Sequence, residues 1–165
     1  MPTPIFPGRF QPFHTGHLLV IQGMVKAVGN PVIVICDPLK SQADGEDMFT
    51  LEERREMISA ALLSADIMDA TIVSCKDAGN DADWVKYVLD AAEKRTDVVM
   101  WSGREEIRSA FEAAGIATKK IVPVPGIDGE TLRSQMRAKN GEWRKKVPAG
   151  ALDVIEDALI KRGLR

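Results

Sequence analysis

Long apolar runs are missing from this 165-residue chain, and a membrane-spanning helix needs about 20 consecutive apolar residues, so no membrane partner is expected. Charge of one sign is missing too: 24 acidic and 22 basic side chains leave a net charge of −2. That balance gives no general electrostatic case for a nucleic acid polymer, so any anion site must be local. Cysteine is scarce. Cys36 and Cys75 stand far apart and each follows an apolar run, which suits buried thiols at strand ends better than a disulfide. Only two histidines, His14 and His17, are present, and no Cys/His cluster has the spacing of a structural zinc site, so no metal-ligating residues are expected. The opening Met1-Pro2-Thr3-Pro4 lacks the basic stretch and apolar run of a secretion signal, which makes the cytoplasm the expected location. Internal repeats, low-complexity blocks and linkers are also absent.

What is there is ordinary globular composition, 45% hydrophobic and 28% charged. A chain of this size buries roughly 70% of its unfolded surface and fits one domain, here residues 1–165. Apolar runs alternate with amphipathic segments along the whole length. Strands are expected over 5–6, 32–36, 70–74, 98–101 and 120–124, and helices over 17–28, 50–64, 82–94 and 105–114. Leu51, Met57, Ile58, Ala61 and Leu62 share one face of the second helix, and Thr50 with Glu53 forms a capping box at its start. Two further helices, over 129–137 and 148–161, close the chain, with Pro148 suited to a helix opening. Short β-branched strands alternating with helices imply an α/β fold, a mostly parallel sheet of about five strands with flanking helices and a C-terminal helical segment. Ligands of such sheets bind beyond the carboxyl ends of the strands, where the strand order reverses.

The first of those strand ends carries Gly8-Arg9-Phe10-Gln11-Pro12-Phe13-His14-Thr15-Gly16-His17-Leu18. Both histidines of the protein sit there, three apart around Gly16, where a helix is expected to open at His17. Backbone N–H groups at a helix start favour anions, and Gly16 permits close approach of a phosphate. Two imidazoles add hydrogen-bond donors without permanent charge, and Arg9 adds a planar fork. The plainer reading is a solvent-exposed loop with a structural arginine. A metal pair ranks below that, because no third histidine remains to complete a site.

This segment resembles the GRFQP-x-H-x-G-H-L opening of the archaeal-type nicotinamide-nucleotide adenylyltransferases, within the HxGH nucleotidyltransferase superfamily. The resemblance continues at Phe49-Thr50-Leu51-Glu52-Glu53-Arg54, at Trp84-Val85-Lys86-Tyr87-Val88, at Ser102-Gly103 and from Met136 to Pro148, nearly the whole chain. It implies a Rossmann-like doubly wound sheet and adenylyl transfer from ATP, with Mg²⁺, to nicotinamide mononucleotide, giving NAD and pyrophosphate. By resemblance, His14, His17, Arg9 and Arg133 are the catalytic set. Gly8, Phe10, Gly16, Ser102, Gly103, Gly129 and Thr131 join them in binding the nucleotide. Arg54, Trp84 and Lys40 are assigned to the acceptor. Related enzymes are commonly oligomeric, so a homo-oligomer is implied on the same ground.

The chain departs from the superfamily in two places. Asp128-Gly129-Glu130-Thr131-Leu132-Arg133 stands where a segment resembling S-[GS]-T-x-[IV]-R closes the triphosphate site. Acids at 128 and 130 beside a polyphosphate repel it unless Mg²⁺ intervenes or the loop shifts by one residue, with Thr131 then replacing the missing hydroxyl. Arg104 stands where a small amide residue is expected. These departures keep other acceptors or donors open: phosphopantetheine, FMN, or a cytidylyl transfer. They also keep open a nucleotide-binding sensor without catalysis. Structural readings compete at single residues as well. Arg54 has an exposed helix face as its alternative, Trp84 a core stripe with Val85, Val88 and Leu89, and Lys40 a solvated loop.

Overall fold

Apolar strands this short are stable only side by side, and five of them form one parallel sheet in the order β3-β2-β1-β4-β5. The computed structural model describes residues 2–37, 47–76, 78–93 and 97–164. Along the chain the elements are β1 (Thr3–Gly8), α1 (Thr15–Ala27), β2 (Val32–Asp37), α2 (Leu51–Ser64), β3 (Thr71–Lys76), α3 (Asp81–Ala91) and β4 (Val98–Ser102). Then follow α4 (Glu105–Ala113), β5 (Ala117–Lys120), α5 (Gly129–Arg137), a 3₁₀ helix (Gly141–Lys146) and α6 (Ala149–Lys161). The Rossmann-like doubly wound sheet is therefore present, and the strand order reverses between β1 and β4.

The chain divides into two compact units. One contains the sheet, α3, α4 and α1 from Val20 onward. Alternation along the strands sends Ile5, Val32, Val34, Cys36 and Met100 to one face, where Val85, Val88, Ala92 and Phe111 of the α3–α4 layer cover them. Ile33, Ile35 and Trp101, of opposite parity, are buried on the other face, where a Cβ on Gly23 of α1 would lie 3.9 Å from Trp101. Cys36 and Cys75 are register partners on β2 and β3; their Sγ atoms lie 3.9 Å apart and no disulfide joins them.

The last strand corrects the expectation over 120–124: β5 is the polar run Ala117–Lys120. An edge strand needs pairing on one side only, so its ladder to β4 forms without apolar side chains. Ile121 donates one more backbone hydrogen bond to Ser102 O at 3.0 Å. Pro123 then offers no N–H, and Val122 is 81% exposed. No helix of the described residues is long and apolar enough to cross a membrane.

The other unit contains residues 10–19, α2, α5, the 3₁₀ helix and α6. Thr50 and Glu53 form the expected capping box on α2, and Pro148 stands at the N-cap position of α6 without a side-chain capping bond. Met57, Ile58, Ala61 and Leu62 of α2 and Ala151, Ile155, Ala158 and Leu159 of α6 form the buried faces of these two helices. The pair crosses so closely at Gly150 that a Cβ there would collide with the Ala60 carbonyl oxygen and Ser64 Oγ. Ser64 can rotate away, but the Ala60 carbonyl belongs to the helix backbone. Gly150→Ala is therefore expected to destabilise the protein by about 1–3 kcal/mol, although alanine is the better helix former by ~1 kcal/mol. Urea unfolding measures this, and an unchanged or higher midpoint would contradict the close crossing.

Candidate functional site

Every helix opens with backbone N–H groups that lack intrahelical partners, and at the start of α1 imidazoles supply them. The His17 N–H donates to His14 Nδ1 at 3.3 Å. In return the His14 N–H donates to His17 Nδ1 at 3.1 Å. The His14 carbonyl accepts from Leu18 N at 3.2 Å. His14 thus stands at the N-cap and His17 three residues on, a capping box built from histidines. The helix accordingly opens at Thr15, two residues before the expected His17, because the cap is a residue type that ordinary capping preferences omit.

Each ring accepts through Nδ1, so each carries its proton on Nε2. The two rings stack with centroids 3.6 Å apart. Phe13 also stacks with His17 at 5.4 Å, and Phe10 meets it edge-on at 4.8 Å. Phe10 reaches that position from a left-handed backbone, φ 55°, a conformation costing a non-glycine residue about 1–2 kcal/mol. Gly16 is required by the same packing, since a Cβ there would stand 2.9 Å from His14 Cε1. Burial pushes the His14 imidazole down to about 4, against a smaller upward pull from the Asp128 carboxylate. Burial also lowers His17 well below the ordinary range, with His14 as the lesser cause.

Asp128 is the N-cap of α5. Its Oδ1 accepts from Thr131 N at 2.8 Å and its Oδ2 from the Thr131 hydroxyl at 2.9 Å. The acid at the closing segment therefore caps a helix, a role aspartate fills as well as serine. These bonds hold its carboxyl below the usual range; the Thr131 backbone N–H contributes most, burial opposes it, and His14 and Arg133 add a little. Glu130 is exposed in the first turn of α5, where the helix dipole favours an acid. Gly129 begins the helix, and Arg133, one turn on, donates from Nη1 to the Gln11 carbonyl at 2.8 Å.

Arg54 corrects the exposed-face alternative: it is 2% exposed. With Met57, Ile58, Ala61 and Leu62 it occupies the buried stripe of α2, and its Nε donates to Thr50 O at 3.3 Å. A cation at an apolar position is costly unless anionic or polar partners hold it.

In the sheet unit, Gly8 and Ser102 end the adjacent strands β1 and β4, where the strand order reverses. Arg9, next in the chain, is exposed. Ser102 is buried, and its groups shape the turn into α4: its hydroxyl accepts from Arg104 N at 3.1 Å, and its carbonyl from Arg108 Nη1 at 2.9 Å. Gly103 is the exposed residue of the pair. The Arg104 side chain turns to Glu106, at 2.6 Å. Trp84 packs edge-on against Phe111 with centroids 5.4 Å apart, beside the α3–α4 core. Lys40 lies outside the described residues.

Sequence reasoning assigned no role to Gln11, whose side-chain partners lie 36–38 residues away. The histidine box, by contrast, had a visible signal, the same three-residue spacing as Thr50 and Glu53.

A model of the cytidylyltransferase-like family matches residues 5–135. The nicotinamide-nucleotide adenylyltransferase of Methanolobus tindarius is 32% identical over 152 residues, covering 91% of this chain and 85% of its own. That of Methanococcus aeolicus is 30% identical, covering 91% and 86%. Among solved structures, a bifunctional NMN adenylyltransferase/ADP ribose pyrophosphatase from Francisella tularensis, complexed with AMP and Mn ion, matches with a TM-score of 0.73 at 18% identity. The match covers 99% of this chain and 53% of that one, so this chain spans about half the solved protein's length. At that identity the likeness concerns the fold.

Below about pH 6.5 the unfolded chain takes up protons on its histidines, whereas folded His14 stays neutral down to about 4. The folded state therefore loses stability as the pH falls through that window. Between pH 7 and 5 His14 alone accounts for about 2 kcal/mol. His14→Gln is expected to flatten the profile by that amount. Parallel profiles for the two proteins would contradict the buried neutral ring.

Proposed function

Because the chain belongs to the cytidylyltransferase-like family, among the relatives of the archaeal nicotinamide-nucleotide adenylyltransferases, we propose that it transfers the adenylyl group of ATP to nicotinamide mononucleotide. A phosphate oxygen of the mononucleotide attacks the α-phosphorus, the bond from that phosphorus to the bridging oxygen of the β-phosphate breaks, and pyrophosphate leaves with NAD as the other product. The attacking phosphate is largely dianionic at pH 7 and needs no general base.

The observation that carries this reading is the histidine box. Each ring's Nδ1 is engaged by a backbone N–H, so neither ring is suited to take a proton; both are built to donate from Nε2. Donors aimed at phosphate oxygens are what adenylyl transfer requires, since catalysis there is positioning and charge stabilisation. In this reading His14 and His17 contact the ATP phosphates, and Arg9 and Arg133 stabilise the leaving pyrophosphate. Gly8, Gly16, Ser102, Gly103, Gly129 and Thr131 serve the nucleotide, and Phe10 serves it through the packing of His17. Arg54, Trp84 and Lys40 serve the mononucleotide.

The donor substrate is ATP with Mg²⁺. We assign Mg²⁺ to the ATP phosphates, as part of the substrate. We place the enzyme in the cytoplasm and assign it no nucleic acid polymer, in keeping with a net charge of −2. The catalysis-free sensor loses its main support, because Asp128 is accounted for as a helix cap.

Pyrophosphate release from MgATP, with phosphorylated acceptors offered one at a time, tests the reading. Release with nicotinamide mononucleotide, matched by NAD formation, is expected. Release only with another acceptor would reassign the substrate, and silence across the panel would overturn the transferase. His17→Ala is expected to lower kcat by about 10²–10³-fold in a protein still folded at the assay temperature; an unchanged kcat would remove His17 from the reaction.

A further inference from the structure

The side chain of Gln11 is 4% exposed and pairs with a backbone segment as a neighbouring strand would. Its Oε1 accepts from Phe49 N at 2.7 Å, and its Nε2 donates to Phe49 O at 2.9 Å. The second Nε2 hydrogen goes to Asp47 Oδ1 at 2.7 Å. A backbone N–H only donates and a carbonyl only accepts, so Phe49 fixes which way the amide points. The main-chain carbonyl of the same residue accepts from Arg133 Nη1 at 2.8 Å.

Gln11 therefore joins three segments: the loop that leads into His14 and His17, the start of α2 with Arg54 one turn in, and α5 with Arg133. Resting on the function proposed above, these segments hold the ATP phosphates, the acceptor and the leaving group respectively. We propose that Gln11 is a positioning residue, whose amide clamp on Phe49 and Asp47 sets the acceptor-side helix α2 in line with the phosphate loop. No shorter or singly functional side chain reproduces it. Asparagine withdraws the amide by about 1.5 Å, one C–C bond. Glutamate is isosteric but donates to neither Phe49 O nor Asp47, and it sets a like charge against the Asp47 carboxylate. Neither change touches the main-chain bond to Arg133, so both report on the link to α2.

The test measures kcat and both KM values, the ATP Kd by calorimetry, and urea stability, for wild type, Gln11→Asn and Gln11→Glu. Misalignment on the order of 1 Å predicts kcat lower by about 10²-fold with the ATP Kd within about threefold of wild type. A folded variant with unchanged kcat, or a loss carried entirely by ATP affinity, overturns the proposal. If neither variant folds, Asp47→Ala decides, because Asp47 is exposed and its loss removes one arm of the clamp. A several-fold fall in kcat at constant ATP Kd supports the proposal, and no change overturns it. A wild type that releases no pyrophosphate overturns the function and this role together, whereas an active wild type beside an equally active Gln11→Glu overturns the role alone.

Discussion

Two backbone N–H groups at the start of α1 have imidazole nitrogens as partners, and most of the loop from Phe10 to His17 follows from that exchange. A ring that accepts through Nδ1 must keep its proton on Nε2, and a ring held neutral by burial keeps that state at pH 7. For His14 to reach the His17 N–H its ring must fold over residue 16, which leaves no room for a Cβ. Once the two rings stack, His17 packs against aromatic rings as well. Phe13 and Phe10 supply those rings, the latter from a strained left-handed backbone. Glycine, aromatics and strain thus share one cause, the capping of a helix by histidine.

The same unit is tied together by polar groups whose hydrogen-bonding capacity is well used. Glu53 completes the capping box with Thr50 and also accepts from Arg162 Nη1 at 3.0 Å, joining the start of α2 to the end of α6. Arg162 in turn lies over the Phe49 ring, 5.9 Å from its centroid. Phe49 is the residue clamped by Gln11. A half-buried ion pair of this kind adds little net stability, but it ties the two helix ends to one geometry. Geometry is what an in-line displacement between two anions demands.

The sheet unit has a different task. Its parallel strands, of which the central β2, β1 and β4 are buried, align their carboxyl ends, and the strand order reverses between β1 and β4, where ligands of such sheets bind. Gly8 and Ser102 end those two strands. Ser102 shapes the turn into α4 by accepting through its hydroxyl oxygen and its carbonyl, and Gly103 is the exposed position of that motif. Asp128 resolves in a similar way. An acid beside a polyphosphate is anomalous as a ligand but ordinary as an N-cap.

Elements whose hydrogen bonds close within three or four residues were legible in the amino-acid order alone. The capping box at Thr50, the span of α5 over 129–137 and the alternation of strands and helices need only local geometry and periodicity. The His14–His17 spacing belongs with them, although its capping role was hidden by an unusual residue type. The tertiary structure decided what depends on distant partners. Arg54 is buried because α2 turns that face inward. The fifth strand is the polar 117–120 rather than the apolar stretch after it, because pairing with β4 sets its register. Gln11 meets Phe49 across 38 residues and Arg162 meets Glu53 across 109. Such partners are chosen by the packing of whole elements, since the chain between them carries no periodicity that encodes the meeting.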